Sequence, residues 1–262
     1  MTGVALDAPP AYLKACCADL WSHPGVRLLA GEALRPGGLD LTRRALDLAD
    51  LPTGARVVDV GSGPGVTLGE LVARGHLAIG ADYSRTLAAE SSATAPTVVA
   101  DAERLPFGDG SLDGAVMECV LSAVPDKAAA VRAIRHALRP GGVLVLTDVV
   151  VEGPLPPPLD SFAGWVACAA GALGADGYAD LLAGEGLGLV VREDHGDAMA
   201  ALVSQARRRL ALFRGAVAAG VVQASAAPDP TLIELGEEIL ATAQGAAADG
   251  VLGYGLFIGR SV

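Results

Sequence analysis

"VVDVGSGPGVT", residues 57–67, is the stretch on which the fold turns. A β-branched strand ends at Asp59, and the chain then bends through Gly61, Gly63 and Gly65 before a helical stretch opens at Val66. Glycines in such a turn let the backbone bend sharply and approach a ligand at a helix N-terminus, where unsatisfied N–H groups favour an anionic group. A dinucleotide fingerprint needs its third glycine one position later, where this chain has Val66, so the spacing argues against a pyrophosphate ligand.

The same alternation extends on both sides of the loop. "RVVDVG", "HLAIGAD", "PTVVAD", "LDGAVMEC" and "GGVLVLTDVV" are short apolar runs bounded by Gly, Pro and Asp, with Ala-rich or amphipathic segments between them. Strands that alternate with helices in this way predict an α/β protein with a parallel sheet. Residues 1–50 depart from the alternation: "AYLKACCADLW" and "LTRRALDLAD" read as helices separated by the turn-rich "RPGGLD". They are expected to form an N-terminal helical lid. After the Pro-rich "EGPLPPPLD" an Ala-rich helical stretch is predicted through Cys168, then helix and strand in "YADLLAGEGLGLVVRED", a long helical segment over 197–248, and a last strand in "GYGLFIGR".

Composition removes several function classes. The chain has 262 residues, a formal net charge of -11 and only 4% aromatic residues, with a pI near 4.7. That charge has the wrong sign for tracking phosphates, and few rings could stack on bases, so nucleic acid is not an expected partner. Mean hydropathy is +0.44, yet uncharged runs such as "SFAGWVACAAGALGA" fall short of the ~20 apolar residues of a bilayer span, so no membrane role is expected. No export signal is read at the N-terminus, and a cytoplasmic location is expected. Four cysteines, Cys16, Cys17, Cys119 and Cys168, are too few for a disulfide scaffold in a chain of this length and are expected to be free thiols.

Acids mark the next strand ends. Asp82 in "GADYS" is placed to accept hydrogen bonds from two ribose hydroxyls, and Asp101 in "ADAERLPF" ends the third strand. Three acids at successive strand ends facing one crevice point to a nucleoside site.

"DVGSGPG", "GADYS", "ADAERLPF" and "LRPGGVLVLTDV" together resemble the class I S-adenosylmethionine-dependent methyltransferases. The resemblance implies a Rossmann-like seven-stranded sheet with an antiparallel last strand, and S-adenosylmethionine as cofactor. It implies that Asp59 and the loop of Gly61, Ser62 and Gly63 hold the methionine part, with Glu118 beside it. Asp82 would hold the ribose and Asp101 with Ala102 the adenine, with Tyr83 also among the cofactor-binding residues. The chain then divides into the lid, a cofactor-binding core over 51–152, and an acceptor-side helical region over 153–262 that completes the sheet.

"ECVLSAVPDKAAAVRAIRHALRPGGVLVLTDV" and "WVACAAGALGADGYADLLAGEGLGLVV" are similar to the arsenite methyltransferase segments that carry two arsenic-binding cysteines, here Cys119 and Cys168. Better-known members carry a further cysteine just upstream of the glycine loop. This chain instead resembles a short branch with "CCA" before "PGGL", in which Cys16 or Cys17 takes that place. The resemblance implies trivalent arsenic as substrate, arriving as arsenite or as a thiol conjugate, with a cellular thiol as reductant. Soft thiolates suit such an acceptor, and a lone-pair nucleophile without a proton needs no general base. Adjacent helical residues differ by about 100° in direction, so one of Cys16 and Cys17 is expected to face the site. Two other functions fit the same fold: a natural-product methyltransferase with Glu118 or His195 as base, and a metalloid sensor without turnover. Arg35, Gly37 and Gly38 in "RPGGLDLT" fit either a closure over the cofactor or a plain turn.

Overall fold

The computed structural model describes residues 10–23, 27, 35–161, 163–164, 168–219 and 230–262. Chain order is α1 (Pro10–Ser22), α2 (Gly38–Ala49), β1 (Arg56–Val60), α3 (Val66–Ala73), β2 (Leu77–Asp82), α4 (Arg85–Ser91), β3 (Thr97–Val99), β4 (Leu112–Glu118), a 3₁₀ turn (Leu121–Ala123) and α5 (Lys127–Ala137). There follow β5 (Leu138–Val151), α6 (Ala175–Gly184), β6 (Leu187–Asp194), α7 (Gly196–Ala218), α8 (Pro230–Ala248) and β7 (Leu252–Ser261). The strands form one seven-stranded sheet in the order β3-β2-β1-β4-β5-β7-β6. β7 runs antiparallel to both β5 and β6, and the pairs among β1 to β5 are parallel. The expected sheet with its antiparallel last strand is present.

The central strands read as continuous apolar runs because both faces are covered. Along β5, Val143, Val145 and Val149 enter the core beneath α2, α3, α7 and α8. Leu144, Leu146 and Val150 enter the core on the opposite face, beneath α5 and α6. This alternation is the period of two of a strand. α5 starts where the Asp126 side chain accepts from the Ala129 N–H at 2.9 Å, and it buries Ala130, Val131, Ile134 and Ala137.

Chain order reverses at β1, whose neighbours β2 and β4 lead to opposite sides of the sheet. Such a switch point opens a crevice at the carboxyl ends of the strands. α1 lies over it, anchored by the Lys14 ammonium on Asp101 (2.8 Å) and Glu103 (2.6 Å).

Three expectations are corrected. Cys168 stands in a turn with φ 68°, not in a helix; the residues just before it, 165–167, lie outside the described ones. The helical segment over 197–248 is two helices, α7 and α8, with 220–229 outside the described residues. Asp101 lies beyond β3, which ends at Val99, in an isolated bridge with Arg104.

Candidate active site

The glycine loop follows from contacts that exclude a Cβ. Gly61 has φ 74°, and a Cβ there would stand 2.3 Å from Val120 Cγ2. Asp82 fastens the loop to β2. Its Oδ2 accepts from the Gly63 N–H and its Oδ1 from the Ser84 N–H, each at 2.8 Å. Burial raises the Asp82 pKa, against the pull of those two N–H groups. The crevice of ≈ 170 Å³ is lined at this end by Asp59, Gly61, Ser62, Gly63, Asp82 and Tyr83, and farther along by Asp101 and Ala102. Ser62 is buried against Ser91, while Tyr83 is exposed at the mouth.

Asp59 is the electrostatic anomaly of this crevice. It is buried, and its Oδ2 has no hydrogen-bond partner. Burial foremost, then the Glu118 charge, pushes its pKa up to about 8, although Arg35 opposes the shift. At neutral pH the carboxyl is mostly protonated.

Glu118, at the end of β4, is differently placed. Thr42 donates to its Oε1 at 2.9 Å, Thr67 to its Oε2 at 2.6 Å, and the Arg35 guanidinium stands 3.1 Å from Oε2. A carboxylate held from three sides is a structural anchor, which removes the ground for treating Glu118 as a free general base. His195 is likewise engaged, with its Nε2 3.0 Å from Glu193, which Arg44 also grips. Arg35 was open between two roles in the sequence; its turn carries it into the crevice wall.

The thiols gather from three remote segments. The Cys119 thiol hydrogen-bonds to Cys168, and Cys17 is close enough to Cys168 to feel its charge. Cys17 and Cys119 line the crevice. Cys16 instead hydrogen-bonds to the exposed Tyr12. Lys14, Cys17, Ala18 and Trp21 all line the crevice, at i, i+3, i+4 and i+7 of α1, which is one helix face. Burial raises Cys17 to about 12, and the Cys168 hydrogen bond, then burial, hold Cys119 well above the usual thiol range. Cys119 (φ 57°) and Cys168 (φ 68°) share left-handed backbone with only one other non-glycine among the described residues, Asp50, which ends α2. That conformation costs a non-glycine of order 1–3 kcal/mol and clusters at functional sites. Among the described residues no group of three or more His, Cys, Asp or Glu is arranged to hold a metal ion as it stands.

Residues 58–146 match the methyltransferase domain family. This match runs from within β1 to within β5 and includes the glycine loop, and α6, α7 and α8 lie beyond it. The demethylmenaquinone methyltransferase of Mycolicibacterium gilvum is 38% identical over 108 residues, 41% of this chain and 46% of that protein. That of Corynebacterium kroppenstedtii is 36% identical over 118 residues, 43% of this chain and 50% of that protein. The chain thus spans about half the length of the curated relatives it matches. Around the methyltransferase domain the whole fold is similar to the cyclopropane synthase MmaA2 of Mycobacterium tuberculosis (TM-score 0.79, 17% identity, 97% of this chain and 99% of that one). It is also similar to phosphoethanolamine N-methyltransferase 2 of Haemonchus contortus, solved with S-adenosyl-L-methionine (TM-score 0.75, 18% identity, 94% of this chain and 60% of that one).

Proposed function

We propose that the chain is an S-adenosylmethionine-dependent methyltransferase whose acceptor is trivalent arsenic bound by Cys17, Cys119 and Cys168. The observation that carries the acceptor is that Cys17 and Cys119 line the crevice, with Cys168 next to Cys119 and near enough to Cys17 for its charge to be felt there.

The cofactor reading rests on the crevice itself. The unpartnered Asp59 Oδ2 is the complement of an ammonium group, Asp82 and Asp101 are acceptors for ribose and adenine, and the glycine loop admits close backbone approach. When bound, S-adenosylmethionine supplies a methyl group on a sulfonium, open to a soft lone-pair nucleophile. The protein's part is positioning, since trivalent arsenic held by sulfur keeps its lone pair and no proton has to be removed. This agrees with the tied state of Glu118 and His195.

The raised pKa values of Cys17 and Cys119 suit such an acceptor. Arsenite exchanges three hydroxyls for three thiols, each S–H proton leaving with a hydroxyl as water, so neutral thiols are competent reactants. A resting thiolate beside a sulfonium would itself be alkylated, and a protonated thiol is a far poorer nucleophile.

The relatives favour a second reading, methylation of a demethylated quinone. The matched family segment includes Cys119 and leaves out Cys17 and Cys168, so the proposed acceptor ligands lie only partly within it. Incubating the protein with S-adenosylmethionine, excess thiol and either arsenite or a demethylmenaquinol separates the readings. Methylated arsenic with no methylated quinol is expected; the reverse establishes the quinone reading.

A further inference from the structure

We infer that Lys14 is a positioning residue: by holding α1 on Asp101 and Glu103 it brings Cys17 to the Cys119–Cys168 pair, and so sets a preference for arsenite over its monomethylated form. This rests on the thiol-acceptor reading above.

The three thiols are not held alike. Cys119 and Cys168 already meet through the hydrogen bond between them, and each stands on its own left-handed backbone. Cys17 belongs to α1, so its place depends on what keeps that helix over the crevice. Lys14 lies one turn earlier on the same face, about 4.5 Å along the axis, so what fixes the one fixes the other. Its Nζ donates to Asp101 Oδ1 at 2.9 Å and Oδ2 at 2.8 Å, and stands 2.6 Å from Glu103 Oε2. These oxygens match the N–H donors of an ammonium group.

The anchor is itself fixed. Asp101 Oδ1 also accepts from the Glu103 N–H at 3.0 Å, and Glu103 Oε1 from the Asp126 N–H at 3.0 Å, where α5 begins. The Lys14 side chain is only 10% exposed and that of Glu103 17%, so solvent screens this pair less than a surface ion pair.

Valence turns the position of α1 into selectivity. Arsenite exchanges three hydroxyls for three sulfurs, and each S–H proton leaves with a hydroxyl as water. Methylarsenite carries a methyl group in place of one hydroxyl, so it exchanges two. The Cys119–Cys168 pair suffices for methylarsenite, and arsenite alone draws on Cys17. Loosening α1 therefore weakens the hold on arsenite and leaves methylarsenite where it was.

Equilibrium dialysis of the full chain, without cofactor and with a phosphine as reductant, measures the binding of both arsenicals free of turnover and of competing thiols. The wild type should bind arsenite more tightly than methylarsenite. Lys14→Met should lose roughly tenfold or more in arsenite affinity, as the closed position of α1 becomes a fraction of the population, and stay within about twofold for methylarsenite. Lys14→Arg, which keeps the charge, should restore most of the loss. In a Cys17→Ser background Lys14→Met should change neither affinity, because the two positions act as one unit. Equal loss for both arsenicals, no loss for arsenite, or a full loss that persists in the Cys17→Ser background would overturn the inference. If Lys14→Met does not fold, Glu103→Gln decides by the same ratio. A wild type that binds neither arsenical refutes the acceptor reading, and this inference with it.

Discussion

Asp59→Asn should stabilise the protein and weaken cofactor binding at once. The carboxyl ionises near 3.8 in an unfolded chain and is held at about 8 when folded. Folding at pH 7 must therefore protonate it, a linkage cost on the order of 4 kcal/mol. The sign follows from the raised value: the folded state binds the extra proton, so this cost is absent below about pH 4, grows as pH rises and levels off near pH 8. Asparagine keeps the shape and removes the cost, but it leaves buried amide N–H groups to satisfy, worth about 1–3 kcal/mol. The net gain at pH 7 is then about 2 kcal/mol, or roughly 4 °C in Tm for a chain of this length. Thermal melts of both proteins from pH 5 to pH 9 should show the variant's advantage opening with pH and then reaching a plateau. Calorimetry should show its affinity for S-adenosylhomocysteine falling roughly thirtyfold, as a charge-assisted contact is lost. A Tm difference that does not change with pH would refute the claim that a buried, protonated Asp59 limits stability.

An ammonium placed against Asp59 makes the carboxyl ionise, so at pH 7 S-adenosylhomocysteine should release close to one proton in the wild type and none in Asp59→Asn. Titrations in two buffers of different ionisation enthalpy read this directly, and wild-type affinity should rise with pH up to about 8. Gly61→Ala forces a Cβ 2.3 Å from Val120 at φ 74° and should cost about 1–3 kcal/mol of stability along with cofactor affinity. Gly63→Ala, also at positive φ but with open space around the added Cβ, should melt closer to wild type in the same scan.

The sheet and the glycine loop were legible because their signals are local: β-branched runs, glycines at a turn, acids at strand ends. Asp59 and Asp82 occupy the crevice positions their strand ends implied. Arg35 was ambiguous because its partners Thr67 and Glu118 lie 32 and more positions away, and no local pattern carries that distance. The turn at Cys168 was hidden by an Ala-rich stretch whose propensity favours helix, a preference that the packing overrides. For Cys16 and Cys17 the helix gave the angle between them but not which one points inward. Lys14, clamped to Asp101 and Glu103, sets that phase, and Cys17 lies three residues on, along the same face. The stripe of Lys14, Cys17, Ala18 and Trp21 was the signal in the sequence that could have decided it.

The thiol site is tested most directly by transfer of labelled methyl from S-adenosylmethionine to arsenite in excess reductant, with arsenic species separated by chromatography. The wild type is compared with single serine variants at 16, 17, 119 and 168, each first shown to bind S-adenosylhomocysteine normally. A hydroxyl is a hard and poor ligand for arsenic, so Cys17→Ser, Cys119→Ser and Cys168→Ser should each yield no methylated arsenic, while Cys16→Ser, whose thiol faces Tyr12, should work at close to the wild-type rate. Full activity in Cys119→Ser, or none in the wild type, would contradict methyl transfer to arsenic held by these thiols.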